Sequence, residues 1–193
     1  MDITIKQVDM KLSPILITVT VFILSCSTVE AQKYEQESRI KAERLPSAAL
    51  FYLDQHYPGR TKVRYYEEYS KRDAGAALQR FYESKFDEDG FRYSVKFDST
   101  GTLYDIERIV VFQQLPPSIL EPIEEDLSRY FRKYRVKKVQ ELLDETGEVI
   151  GYELVVRGKH GQDIGYFELQ YDEAARRTSV IPIQDALNPF FFF

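Results

Sequence analysis

Stretches of alternating apolar and polar residues occupy most of the chain between positions 61 and 184. In the clearest of them, Phe91, Tyr93, Val95 and Phe97 alternate with polar residues, which is typical of a strand with one buried face. Similar stretches, bounded by turn residues, indicate further strands. The eight predicted strands are residues 61–69, 79–86, 91–97, 103–112, 136–143, 149–157, 164–171 and 177–184.

Two helices are predicted where apolar residues recur at helical spacing, each after a Leu-Pro pair. The first begins at Pro46 and ends at Pro58, because proline favours the first turn of a helix and cannot continue one. The second lies within residues 116–134. Its Pro122 is tolerable only in a first turn, so regular helix is expected from near Glu121.

The order of these elements occurs twice along the chain. Leu45-Pro46 is matched by Leu115-Pro116, and Tyr82-Glu83 by Tyr152-Glu153, in each case 70 positions later. The sequence therefore predicts an α+β fold of two tandem units. Each unit is a helix followed by a four-stranded antiparallel meander, with the helices packed on one face of a continuous or side-by-side sheet. The predicted units are residues 45–113 and 114–184.

Three turns between strands share one formula, an aspartate followed three residues later by a glycine. They are Asp87–Gly90, Asp98–Gly101 and Asp144–Gly147. The aspartate side chain is expected to cap the turn backbone, and the glycine to supply a positive φ that closes a hairpin with a bulge.

The two ends of the chain are predicted to lie outside these units. Residues 1–31 resemble a secretory signal, with an apolar stretch at 12–24 that is too short to span a bilayer. Cleavage after Ala31 is favoured, and the alternative is a lipobox in which Cys26 would be lipidated. Residues 32–44 are predicted to be a polar lead-in or a short solvated helix. The tail at 185–193 ends in Phe190–Phe193, for which a strand edge, a partner-docking tail and a membrane-facing tail stay open.

Composition excludes several classes of function. The formal charge is −5, which argues against a nucleic-acid partner, since phosphate binding needs a basic surface. Cys26 is the single cysteine, so the mature chain has no disulfide and no cysteine-based metal site. No motif of a hydrolase, metalloprotease or nucleotide-binding loop occurs. No catalytic residue, metal site or cofactor is therefore predicted.

Tyrosine and arginine residues on the first strands form the candidate binding surface, because these two residue types dominate protein interfaces. The candidates are Tyr65, Tyr82, Tyr93, Arg64 and Arg92. The alternative for each tyrosine is a place under the helix, which strand alternation requires of some of them. The predicted partner is a protein or peptide of the cell envelope, and contact with a membrane would occur only through a lipid at Cys26.

The Leu-Pro openings, the turn-separated strands and the segment Tyr93–Glu107 resemble the PepSY-like, β-lactamase-inhibitor-protein-like domains of secreted Bacteroidetes proteins. The resemblance covers about residues 45–184. It implies tandem units with a shared concave sheet surface, in a non-catalytic periplasmic or secreted protein that binds or inhibits another protein, such as a peptidase. β-Lactamase inhibitors carry disulfides, and this chain has no cysteine pair to form one.

Two other functions stay open at this point. One is a periplasmic small-molecule sensor or carrier with a pocket between helix and sheet. The other is a hydrolase that uses a pair of carboxylates, although no pair stands out among the many acidic residues.

Overall fold

The computed structural model describes residues 34–71 and 77–183. The predicted signal segment with Cys26, and the tail at 185–193, lie outside the described residues. The elements are β1 (Tyr34–Ile40), α1 (Ser47–His56), β2 (Thr61–Lys71), β3 (Gln79–Glu88), β4 (Phe91–Asp98), β5 (Leu103–Ile109), α2 (Pro117–Tyr130), β6 (Lys133–Leu143), β7 (Val149–His160), β8 (Asp163–Asp172) and β9 (Arg177–Ile183).

The strands form one antiparallel sheet in which each strand pairs with the next along the chain, from β1 to β9. Short turns between the strands produce this order, because a hairpin can join only antiparallel neighbours. Ile106 of β5 pairs with Leu143 of β6, so the two halves of the chain share a continuous sheet. The predicted α+β class is confirmed. That the halves are two tandem units stays a prediction.

Both helices pack on the same face of the sheet. Helix α1 buries Ala49 and Leu53 against β3, β4 and β5, and α2 buries Ile123 and Leu127 against β6, β7 and β8. The strand residues beneath them come from alternate positions, as period-2 side-chain geometry requires. We call this side of the sheet the covered face and the opposite side the open face.

The polar lead-in predicted at 32–44 is wrong for its central part, because residues 34–40 form edge strand β1. Tyr66 of β2 pairs with Arg39, and Glu68 pairs with Glu37. The segment needs no apolar stripe, since Glu37 is held by an ion pair with Lys85 rather than by a hydrophobic contact. A polar strand of this kind has no signature in hydrophobic periodicity.

Helix α2 and the strand before it also differ from the prediction. The helix begins at Pro117, so Pro122 lies in its interior rather than in its first turn. It ends at Tyr130, and β6 starts earlier than expected. Strand β5 stops at Ile109, because residues 112–114 turn into a short 3₁₀ segment that leads to Pro116.

The turn formula holds for two of the three predicted turns. Asp98 and Asp144 each accept hydrogen bonds from two following backbone amides, and Gly101 and Gly147 have positive φ. The turn at 87–90 is different: Glu88 pairs directly with Phe91, and both Asp89 and Gly90 have positive φ. This is the geometry of a two-residue type I′ hairpin, in which the side chain of Asp87 has no amide to cap.

Candidate functional site

The open face contains a groove with a volume of about 570 Å³. Gln79 of β3 and Ile181 of β9 both line it. A flat sheet would hold these strands roughly 29 Å apart, at about 4.8 Å per strand spacing. The sheet is therefore curved, with its open face concave. Side chains that line the groove are Ser70, Gln79, Phe81, Lys96, Tyr104, Asp105, Glu107, Leu142, Ile150, Glu153, Glu168, Gln170, Ser179 and Ile181.

The groove has an acidic floor. Four carboxylates line it, and Lys96 is the cation among the lining residues. Lys96 is already engaged with Glu68, with Nζ 2.9 Å from Oε2. Because the strands present alternate residues to this face, the acids from β5, β7 and β8 converge. They are Asp105, Glu107, Glu153 and Glu168.

Burial and neighbouring negative charge raise the pKa of two of these acids. Burial raises the pKa of Asp105 to about 7, against the opposing effect of Lys96, and Glu107 adds to the rise. Burial also raises the pKa of Glu107, with a further contribution from the charge of Glu153. The side-chain amide of Gln140, itself buried, donates a hydrogen bond to Glu107. A ligand that brings positive charge into the groove would reverse these shifts.

A buried charge network lies beside the groove. Lys85 Nζ lies 2.9 Å from Glu37 Oε1 and 3.1 Å from Glu83 Oε2, and it sits over the ring of Tyr66. Ser94 donates a hydrogen bond to Glu83. Burial and the neighbouring charge of Glu83 raise the pKa of Glu37 to about 8, whereas Lys85 keeps the pKa of Glu83 below its usual value.

Three carboxylates of this region, from Glu37, Glu68 and Glu83, bring oxygen atoms within 4.8 Å of one another. Such a cluster is a conceivable cation site. Here the ammonium groups of Lys85 and Lys96 occupy the position of the cation, at 2.9 Å from Glu37 and Glu68 respectively. The three acids are therefore ion-pair partners in this structure, and a metal would have to displace two lysines.

The tyrosines predicted to form the open binding surface lie on the covered face, so that placement is wrong. Tyr82 is buried in the α1 cluster, and Tyr65 and Tyr93 pack partly buried against the same cluster. Tyr93 contacts the rings of Tyr57 and Phe86. These residues pack under the helix because strand alternation assigns them to the apolar side. Their direct contact with a partner is an untested prediction.

Of the two predicted arginines, Arg64 is half-buried on β2 and Arg92 is exposed near the start of β4. Arg92 Nε lies 3.4 Å from Asp87 Oδ1. The structure does not bring either arginine into the groove. Sequence reasoning missed the groove acids, although one signal was visible: each repeated Tyr-Glu pair, Tyr82-Glu83 and Tyr152-Glu153, places its tyrosine in the core and its glutamate on the open face.

The raised pKa of Asp105 predicts a stability that depends on pH. Its folded-state pKa of about 7 exceeds the ordinary aspartate pKa of 3.8, so the unfolded chain ionises first. Stability should therefore fall as pH rises from about 4 to 7 and stay lower above 7. We expect Asp105→Asn to raise the free energy of unfolding at pH 8 by on the order of 2 kcal/mol and to change it little at pH 4. Urea titrations at both pH values measure this.

The matched control is Asp89→Asn, which makes the same chemical change in an exposed turn. It should show no pH-dependent difference from the wild type. An Asp105→Asn variant that is less stable than the wild type at pH 8, or equally shifted at pH 4 and pH 8, would contradict the assignment of a charge-destabilised carboxylate.

No helix among residues 34–71 and 77–183 has the length and apolar character needed to cross a membrane.

Several solved structures from Bacteroides share this architecture. A protein from Bacteroides eggerthii, provisionally described as periplasmic, matches with a TM-score of 0.54 at 15% identity, over 76% of this chain and 94% of that chain. A DUF2874 family protein from Bacteroides ovatus matches with a TM-score of 0.51 at 17% identity, over 77% and 97% of the respective chains. This chain has the fold of the DUF2874 proteins.

A BLIP-like protein from Bacteroides fragilis matches with a TM-score of 0.49 at 20% identity, over 73% of this chain and 89% of that chain. No protein-family model matches the sequence, and no curated protein matches it significantly. The resemblance to this group of Bacteroidetes proteins, predicted from the sequence, is confirmed at the level of the DUF2874 fold.

Proposed function

We propose that this protein is a periplasmic, non-catalytic module that binds a protein or peptide partner in the groove of its open face. The observation that carries the proposal is the groove itself: a concave, helix-free surface of about 570 Å³ with four acidic residues along its floor. Concave sites with a few convergent polar groups are where proteins usually bind ligands.

The rim of the groove supplies apolar contacts. Tyr104 is 43% exposed and Ile150 is 53% exposed, and both line the groove. Tyr104 rests against the ring of Phe81, with centroids 4.7 Å apart, which holds it in place. An exposed aromatic side chain fixed beside a cavity is a typical interface anchor. The groove therefore suits a segment that carries both apolar and positively charged side chains.

Two further observations support a periplasmic location. The Bacteroides eggerthii protein, which has the same fold, is provisionally described as periplasmic. The N-terminal segment has the pattern of a secretory signal, which agrees with a periplasmic location. We extend the proposal to two tandem units, 45–113 and 114–184, and to a partner that is an envelope enzyme such as a peptidase.

A photo-cross-linking residue in the groove tests the proposal. We expect p-benzoylphenylalanine in place of Ile150 to form a discrete cross-linked product in the cell envelope of the organism that makes the protein. Ile150 is suitable because it is exposed at the groove and lies outside both apolar clusters. Mass spectrometry of the product identifies the partner.

The control places the same residue at Phe51, which is 67% exposed on the outer side of α1. Cross-links of the same size and yield at both positions would indicate random collisions and contradict the proposal. So would the absence of any cross-link at Ile150 in cells that express the protein at its natural level.

A further inference from the structure

A second charged surface lies on β6 and β7, and its sign is opposite to that of the groove. We call it the basic strip, and it consists of Lys133, Arg135, Lys137, Arg157 and Lys159. Four of these side chains are exposed and Lys159 is half-buried. Exposed Ile164, on β8, is the apolar residue beside them. The concentration is notable in a chain of formal charge −5.

The register places like charges directly opposite each other. Lys133 pairs with Lys159, and Arg135 pairs with Arg157. Directly opposed side chains of one sign repel and destabilise a strand pair. Within residues 34–71 and 77–183, none of the five cations takes part in an ion pair or side-chain hydrogen bond. Elsewhere on the sheet the chain compensates such charges, as it does for Lys85 and Lys96. The positive charge of the basic strip is therefore not balanced by side chains of the described residues, and an external anion is needed to neutralise it.

The shape of the strip limits what this anion can be. Strand β7 is paired with β6 and β8 along its length, so it offers no edge to an added peptide strand. Strand β6 pairs with β5 at residues 140–143, and its first half, with Lys133, Arg135 and Lys137, pairs with β7. Arg135 and Arg157 point away from α2, because their neighbours Val136 and Val156 pack against it. The strip therefore offers exposed side-chain charge with one apolar residue, Ile164, beside it. Closely spaced phosphate groups fit this arrangement.

We propose that the basic strip docks the protein on a membrane surface that carries anionic phospholipid headgroups. The guanidinium groups of Arg135 and Arg157 would bind phosphate, and Ile164 would enter the interfacial region beside them. This docking needs neither the groove nor its partner, because the strip lies at the other end of β6 and β7 from Leu142 and Glu153, which line the groove.

The test is co-sedimentation of the full chain with vesicles of phosphatidylcholine, with and without roughly one third phosphatidylglycerol. Phosphatidylcholine alone measures any binding that does not depend on charge. We expect the anionic vesicles to bind the protein at least about tenfold more tightly, with the excess lost at high salt. Arg135→Gln with Arg157→Gln should remove most of the excess, and adding Lys133→Gln and Lys159→Gln should remove the rest.

The charge-matched control is Arg39→Gln with Lys41→Gln, which removes two exposed cations at the other edge of the sheet. It should leave binding unchanged.

Thermal unfolding checks the fold of every variant. The strip variants should unfold at or above the wild-type temperature, because they relieve like-charge repulsion. An equal loss of binding in the control pair would overturn the proposal. Release of the protein from anionic vesicles by poly-glutamate, at a concentration below that of the anionic lipid, would also overturn the proposal, in favour of an acidic protein partner. Release by inorganic phosphate at a concentration equal to that of the anionic lipid would show that no membrane surface is needed.

Discussion

Replacement of Lys85 by methionine is expected to lower the free energy of unfolding by about 3 to 5 kcal/mol at pH 8, which is the usual cost of removing one partner from a buried ion pair. The ammonium group lies between Glu37 and Glu83, and all three side chains are largely buried. Methionine keeps an unbranched side chain of similar length, but it removes the ammonium group from above the ring of Tyr66 and leaves both carboxylates without this cation. Urea unfolding measures the loss.

The pH dependence of this variant distinguishes charge from packing. Without Lys85, the pKa of Glu37, already raised to about 8 by burial, should rise further, and the pKa of Glu83 should no longer be held below its ordinary value. A carboxyl whose folded-state pKa is raised destabilises the protein only where the unfolded chain is ionised. The deficit should therefore be small near pH 4 and grow as pH rises toward 8. A defect of methionine packing would be the same at both pH values.

Two companion variants complete the experiment. Lys62→Met removes a lysine that lies 2.9 Å from Asp87 but is 77% exposed, and it should change stability little, as surface ion pairs do. Adding Glu83→Gln to Lys85→Met should restore part of the lost stability at pH 8, because it removes one uncompensated charge. A Lys85→Met protein as stable as the wild type at pH 8 would show that the network does not stabilise the sheet.

Gly158→Ala is expected to destabilise the protein by about 2 to 3 kcal/mol, as overpacking of a filled core does. A Cβ at this position would lie 2.7 Å from Cε1 and 2.8 Å from Cγ of Phe131. The ring cannot retreat, because Phe131 is buried in the α2 cluster and contacts Phe167, with centroids 5.0 Å apart. The end of α2 therefore approaches β7 at a position where only glycine fits.

The residue opposite Gly158 provides the control. Gly165 pairs with it across β7 and β8, and a Cβ there would lie 3.8 Å from Phe167 Cε2, an ordinary contact. Gly165→Ala should be neutral or slightly stabilising, because glycine inside a strand is unfavourable by roughly 0.5 to 1 kcal/mol. Adding Phe131→Leu to Gly158→Ala should recover part of the loss. Equal effects of the two alanine substitutions would contradict the close approach of Phe131.

The groove and the strip divide the open face by charge. Four acidic side chains lie on the groove floor, whereas Arg135 and Arg157 place positive charge on β6 and β7. A partner in the groove is selected by its basic side chains, and the strip repels the same side chains. This separation should orient the partner along the open face, since like-charge contacts exclude the alternative placements.

The local structure of this protein can be predicted from its sequence. Alternation at Phe91, Tyr93, Val95 and Phe97 predicted β4, and the aspartate–glycine turns at 98–101 and 144–147 predicted hairpins that the structure contains. These features depend on residues that are neighbours in the chain, so period-2 geometry and turn chemistry suffice to predict them. The antiparallel order of the sheet follows from them.

Which surface is available for binding depends on contacts between distant parts of the chain. Alternation required some of Tyr65, Tyr82 and Tyr93 to lie under a helix, but it did not show that all three do. Likewise, strand register pairs Arg135 with Arg157. Curvature of the sheet brings Gln79 and Ile181 to the same groove. Both arise from contacts between residues far apart in the chain. The free energies of register and curvature are summed over the whole packed sheet, so they cannot be read from any single segment of the sequence.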